Sequence, residues 1–191
     1  MNNGEKVIDE KPLLGDIKLL RDRACRHIEQ GAVTAGYRGD REAVIRALND
    51  ALATEIVCFL RYKRHQFMAK GIHAQSVAAE FAQHAGEEQA HADLIAKRIV
   101  QLGGAPDFSP TSLAARSNTE YVEGRDLRDM IREDLVAERI AVASYGEAIR
   151  RMGNDDSTTR IMLEGILADE EEHAEDLSSM LDSPLLETKD P

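Results

Sequence analysis

Two copies of one short pattern carry the chemistry of this chain. Glu88-Gln89-Ala90-His91 and Glu170-Glu171-Glu172-His173 each place a carboxylate three residues before an imidazole. On a helix such residues share a face, with Cβ atoms about 5–6 Å apart, so both groups reach one ion. A lone Glu-x-x-His is weak, because most glutamates on acidic helices are solvated. Here it occurs twice, and Glu55 and Glu138 stand ahead of the two pairs. Four carboxylates gathered without cations repel one another, and several must take up protons. Two divalent ions remove that cost. Glu55, Glu88, His91, Glu138, Glu170 and His173 are therefore the candidate metal ligands, and the catalytic residues, of a two-metal centre. Oxygen-rich donors with two imidazoles suit iron or manganese and need no thiolate.

Other residues gather round this set. Tyr62 and Tyr145 follow Glu55 and Glu138 by seven residues each, on the same helix face. Each either hydrogen-bonds to a ligating carboxylate or packs. Asp169 is a candidate to orient a ligand; the acidic run 169–172 otherwise reads as solvated surface. His84, one turn before Glu88, reads as a satisfied core histidine, with binding of an incoming ion as the alternative. His27, His65 and His73 have no partner pattern and read as surface. Cys58 reads as a small buried hydrophobe.

The elements that must position these groups are four long helices. The spacing of apolar residues predicts helices from about Arg41 to Lys70, Ala74 to Leu102, Arg125 to Met152, and from a cap in Asp155-Asp156-Ser157 to about Leu181. Their inward stripes are interrupted by the candidate ligands, as in Leu48, Leu52, Glu55, Phe59, Tyr62 and in Leu163, Ile166, Glu170, His173, Leu177. A glutamate in such a stripe needs a partner. No Arg or Lys lies at matching depth on the stripes, which argues against a plain bundle with paired buried acids. Residues 103–123, with Pro106 and Pro110, form one long crossover holding a short helix near Ser112 to Arg116. A short amphipathic helix from Leu13 to about Ile28 precedes the bundle. Asp40, in Arg38-Gly39-Asp40, reads as the N-cap of the first long helix. The division is an extension over 1–40, the bundle over 41–182 and a tail over 183–191.

The two halves repeat. Glu55 to Glu138 and Tyr62 to Tyr145 each span 83 residues; Glu88 to Glu170 and His91 to His173 each span 82. A hairpin of one glutamate helix and one Glu-x-x-His helix thus occurs twice. Folded about a pseudo-twofold axis, the hairpins aim all six ligands at one point.

Composition bounds the rest. The 191 residues allow one domain with a sizeable core. Aromatics are 4%, with no Trp, and charged residues 31%, which favours an all-α protein. The net charge of −11 opposes DNA and anionic membranes. Two cysteines, Cys25 and Cys58, make no disulfide scaffold and fit reduced thiols in a cytoplasmic protein. The polar start gives no sign of a secretory leader, and the apolar run Ile56–Leu60 is too short for a membrane span.

Over residues 41–182 the sequence resembles bacterioferritin and, more closely, Dps-like ferritins with a bacterioferritin-type site. The likeness rests on Leu52-Ala53-Thr54-Glu55 with Tyr62, on His84-Ala85-Gly86-Glu87-Glu88-Gln89-Ala90-His91-Ala92, on Glu138-Arg139, and on Asp169-Glu170-Glu171-Glu172-His173-Ala174. It implies a ferritin-like four-helix bundle. It further implies two Fe ions per subunit, with Glu55 and Glu138 terminal, Glu88 and Glu170 bridging, and His91 and His173 each capping one metal. The implied activity is that of a ferroxidase: Fe(II) is oxidised with O2 or H2O2 and stored as ferric mineral in a homo-oligomeric cage. The haem-ligating Met of bacterioferritin is replaced by Gln89, so no haem is implied. Only 18 residues follow His173, which with the N-terminal helix favours a 12-subunit shell over one of 24. A cysteine pair common in Dps-like ferritins would fall at Ser117 and Ile140, so that redox feature is not expected. The rival activities are a manganese catalase or another di-metal oxidoreductase on the same bundle, and a DNA-compacting shell protein, which the charge opposes.

Overall fold

The computed structural model describes residues 15–71 and 74–183. Among these every regular element is helical: α1 Ile17–Ala24, a 3-10 turn Ile28–Gln30, α2 Arg41–Met68, α3 Ala74–Gln101, α4 Leu113–Arg116, α5 Leu127–Met152 and α6 Ser157–Leu181. The chain divides into two compact units, up to Tyr37 and from Arg38 onward.

The N-terminal helix is about half the length its apolar spacing suggests. Asp16 caps it, accepting from the Lys18 N–H at 2.8 Å, and it ends at Ala24. His27 then takes a left-handed φ of 55° and starts the 3-10 turn. No residue of α1 is buried, so burial does not reward a longer helix. Leu13, the first residue of the expected helix, lies outside the described residues, as do His73 and most of the expected tail.

The four long helices follow local signals. Asp40, Asp126 and Asp156 each accept a backbone N–H three residues on, from Ala43, Asp129 and Thr159, at the starts of α2, α5 and α6. The α5 helix stops at Gly153, whose φ of 59° suits glycine far better than any residue with a Cβ. Contacts fix the directions. Tyr62 meets His84 while Glu55 meets His91, so α2 and α3 are antiparallel. Tyr62 meets Glu138 while Glu55 meets Tyr145, so α2 and α5 are antiparallel too. His91 meets Asp169 while His173 meets Glu87, which makes α3 and α6 antiparallel.

Since α3 and α5 run the same way, the chain must travel the length of the bundle between them. It does so along α2, tied by polar contacts in sequence order. Asn49 accepts from the Asp107 N–H at 2.7 Å, and Thr54 Oγ1 from the Asn118 N–H at 2.9 Å. Arg61 Nη1 donates to the Glu120 carbonyl at 2.9 Å, and His65 Nε2 lies 3.1 Å from the Val122 carbonyl. The expected crossover and its short helix, α4, are both present.

Apolar side chains pack the core in separate clusters. One cluster is Tyr62, Val77, Phe81, Ala85, Met130, Ile131 and Leu177. A smaller one, Ala53, Val57 and Leu113, seats α4 against α2. Fully burying side chains such as Phe81 or Ile131 contributes about 1.5–3 kcal/mol each. Between α2 and α5, away from the crossover's end, lies a groove of about 1070 Å³ whose lining includes Ala51, Ser144 and Ala148.

Candidate metal centre

The helix stripes bring all six candidate ligands to one place in the middle of the bundle. Glu55, Glu88, His91, Glu138, Glu170 and His173 are each at most 3% exposed. They form two overlapping sets, Glu55, Glu88, His91, Glu170 and Glu88, Glu138, Glu170, His173. Within each set one ligand atom per residue lies within 4.8 Å of every other. Glu88 and Glu170 belong to both sets.

Both imidazoles turn Nδ1 inward. His91 Nδ1 is 3.2 Å from Glu55 Oε2 and 3.2 Å from Glu170 Oε1. His173 Nδ1 is 3.5 Å from Glu88 Oε1 and 3.7 Å from Glu170 Oε2. Their outer nitrogens are held by carboxylates of the opposite hairpin: His91 Nε2 by Asp169 Oδ2 at 3.1 Å, His173 Nε2 by Glu87 Oε2 at 2.9 Å. The tyrosines cross over in the same way. Tyr62 donates to Glu138 and Tyr145 to Glu55. Of the two roles open to them, hydrogen bonding to a carboxylate is the one present.

The centre is incomplete as it stands. Glu88 Oε1, Glu138 Oε2, both Glu170 carboxylate oxygens and His173 Nδ1 are buried without a hydrogen-bond partner. Such atoms cost about 1–3 kcal/mol each when unsatisfied, more when charged. Burial, then the charges of Glu170, Glu55 and Glu138, push Glu88 well above the usual carboxylate range. Burial and Glu170 do the same to Glu138. Glu170 goes the other way: burial would raise it, but the His173 and His91 imidazoles beside it, too poorly aligned for full hydrogen bonds, hold it below the usual range. For His91 burial opposes the charged form, yet the adjacent Glu170 carboxylate and the hydrogen bond to Glu55 push it up to about 10. His173 is raised as well, the nearby Glu170 and Glu87 carboxylates outweighing burial. The metal-free centre thus holds protons where two divalent ions would hold charge. Donor type, burial and orphaned oxygens all fit a pair of such ions.

Three residues fall elsewhere than expected or escape the sequence reading. His65, expected at the surface, is fully buried: its Nδ1 is 2.7 Å from Asp134 Oδ2. Arg61, buried on the same helix, donates from Nε to Asp134 Oδ1 at 2.7 Å. A basic side chain is therefore present in the core, but it pairs with Asp134 and not with the central glutamates. Glu87, the partner of His173, also escaped notice. The repeat carries its signal, since 82 residues separate Glu87 from Asp169. His27 is exposed, and Cys58 is buried beside Thr119 and Arg61, with its thiol pushed up chiefly by burial. His84 is buried but only half satisfied, its Nε2 having no hydrogen-bond partner.

A four-helix bundle with two Glu-x-x-His helices facing two glutamate helices defines the class of ferritin-type carboxylate proteins. Comparison with known proteins agrees. Residues 45–184 match the family model of the ferritin-like domain. Bacterioferritin of Mycobacterium leprae is 30% identical over 145 residues, covering 75% of this chain and 86% of that protein. The nutrient stress-induced DNA-binding protein of a Synechococcus strain is 30% identical over 141 residues, covering 72% and 80%. Among solved structures, the bacterioferritin-related protein of Bacteroides fragilis, described as a dodecameric thioferritin, superposes with a TM-score of 0.72. It is 33% identical and covers 74% of this chain and 86% of its own. The chain belongs to the ferritin-like family, with bacterioferritins and Dps-type proteins as its relatives.

Proposed function

We propose that the protein is a ferroxidase that oxidises Fe(II) at the central cluster and stores the ferric product in a homo-oligomeric cage. The observation that carries this reading is the pair of buried four-ligand sets sharing Glu88 and Glu170, with carboxylate oxygens left unpartnered. Fe(II) is the substrate. Each ion gives up one electron. Two electrons with two protons reduce O2 to H2O2, or H2O2 to two waters.

The chain's own residues prepare that step. Tyr145 and Tyr62 orient Glu55 and Glu138. Asp169 and Glu87 accept the Nε2–H of His91 and His173, so that each Nδ1 turns a lone pair inward once substrate displaces its proton. Glu88 and Glu138 give up their protons as substrate binds.

Several observations support a cage. Phe67, Val100, Phe108 and Ile161 are more than half exposed, apolar surface suited to burial between copies. A structural relative is described as dodecameric. A 12-subunit shell is the preferred form and 24 the alternative. One relative is named as DNA-binding, but a net charge of −11 opposes non-specific phosphate contact in this chain. No described helix is long and apolar enough to cross a membrane.

The test is aerobic Fe(II) loading of metal-free protein, with sizing and iron counting on the protein peak. Retention far above two irons per chain supports storage. Uptake that stops at two rejects it and turns attention to manganese and catalase chemistry, which the same ligands accommodate. Glu88→Ala and His173→Ala abolish rapid oxidation while circular dichroism stays helical; unchanged kinetics in both would sink the site assignment.

A further inference from the structure

The central ligands are matched across the pseudo-twofold, but their surroundings are not. His84 is fully buried one turn before Glu88, and its ring stacks on that of His173 with centroids 4.1 Å apart. Its Nδ1 lies 3.3 Å from the Tyr62 hydroxyl. Tyr62 commits its one proton to Glu138, so towards His84 it can only accept. Nδ1 therefore carries a hydrogen, and in the neutral ring, which burial and the neighbouring His173 favour, Nε2 presents a lone pair. That nitrogen is buried without a hydrogen-bond partner. It faces two carboxylates, Glu80 Oε1 at 3.4 Å and Asp176 Oδ2 at 3.8 Å. A lone pair facing two carboxylate oxygens is a repulsive arrangement that a cation resolves.

We propose that Glu80, His84 and Asp176 form a third divalent-cation site, which holds an ion between solvent and the central pair. Their ligand atoms lie within 4.8 Å of one another. Two carboxylates and one imidazole, with room for water, suit Fe(II), Mn(II) or Zn(II). The Glu80 and Asp176 side chains are 27% and 43% exposed, so the site opens outward while His84 seals it inward. The ligand sets then form an overlapping series. His84 also belongs to a set with Glu87 and His173, and His173 belongs to the central set of Glu88, Glu138 and Glu170. At the His91 end the repeat puts Met162, Ile166 and Leu94 where Glu80, His84 and Asp176 stand, and these offer no hard donor. The counterpart positions at the His91 end thus offer no second cluster of this kind. The site stands independently of the di-iron reading; only its role as a waiting position for Fe(II) rests on it.

The experiment is a calorimetric titration of the metal-free protein with Zn(II), beside crystals soaked in Zn(II) and measured at the zinc edge. Wild type is expected to take up three ions per chain, with an anomalous peak beside His84 Nε2. The Glu80→Gln/Asp176→Asn variant, which alters only partly exposed side chains, is expected to take up two and to lose that peak. Glu88→Gln/Glu170→Gln is expected to lose the central ions and keep the His84 peak. Equal uptake by wild type and the Glu80/Asp176 variant, or no density beside His84, overturns the third site. Two ions in wild type and none in the Glu88/Glu170 variant would overturn it while leaving the central centre intact.

Discussion

The Asp134 and Glu88 carboxylates are both sealed from solvent within the same bundle, on helices that face α2. Around Asp134 each charge has a protein partner. Arg61 and His65 each approach one carboxylate oxygen at 2.7 Å, Arg61 Nη1 and His65 Nε2 reach the Glu120 and Val122 carbonyls of the crossover, and Arg61 Nη2 reaches the Cys58 sulfur. Around Glu88 four carboxylates face only two imidazoles, the tyrosines and outer carboxylates fix geometry, and several oxygens remain without a hydrogen-bond donor. The first cluster is finished by the chain itself and pins the crossover to α2. The second is finished only by something positive from outside. Burial alone does not mark a functional site; burial with unfinished valence does.

The largest effect expected from this contrast is on Asp134. Asp134→Ala leaves the buried Arg61 charge uncompensated and costs about 3–5 kcal/mol. Denaturant unfolding of metal-free protein measures it. Glu88→Gln in the same assay changes stability by about 1 kcal/mol or less, because burial and the neighbouring carboxylates already favour the neutral form of that carboxyl. Equal losses from both variants would break the comparison.

The second expectation concerns pH. His91 is raised from 6.5 to about 10 in the folded metal-free protein. A raised group contributes stability that is full below its unfolded pKa and fades as pH rises through the folded one. Metal-free protein therefore loses stability between pH 6.5 and about 10. Zn(II)-loaded protein shows the opposite slope towards acid, since protons compete for the same ligands. Thermal melts across that range, with and without Zn(II), check the change of sign.

The smallest effect compares the two tyrosines. Tyr145→Phe releases Glu55 alone, whereas Tyr62→Phe releases Glu138 and removes the partner of His84. Each slows Fe(II) oxidation by roughly 10–100-fold, the usual range for groups that orient ligands. Tyr62→Phe lies at the upper end and alone weakens Zn(II) binding beside His84. Equal behaviour of the two variants would remove the distinction between the ends of the centre.

Much of this was legible in the residues. Period-3.6 stripes interrupted by glutamate located the four long helices, and the 82- and 83-residue repeats brought the six ligands together. The Arg61–His65–Asp134 cluster was not legible, because nothing in one helix says which side chain a second helix will place opposite. Nor does the repeat reach it. The counterparts of Arg61, His65 and Asp134 are Ser144, Ala148 and Ala51, small residues that line the open groove. The crossover carbonyls of Glu120 and Val122 bond to the polar end of the α2–α5 seam, and the two ends differ in polarity. Repetition thus survives where both halves must supply ligands and fades where a single connection breaks the symmetry.

Neither central ligand set belongs to one hairpin. One draws Glu55, Glu88 and His91 from the first hairpin and Glu170 from the second; the other draws Glu88 from the first and three residues from the second. No half-formed bundle can offer a complete site. A bound metal ion then acts as a kinetic latch: it engages after the hairpins have docked and must let go before they part. Its stabilisation should lower the unfolding rate and leave the folding rate nearly unchanged.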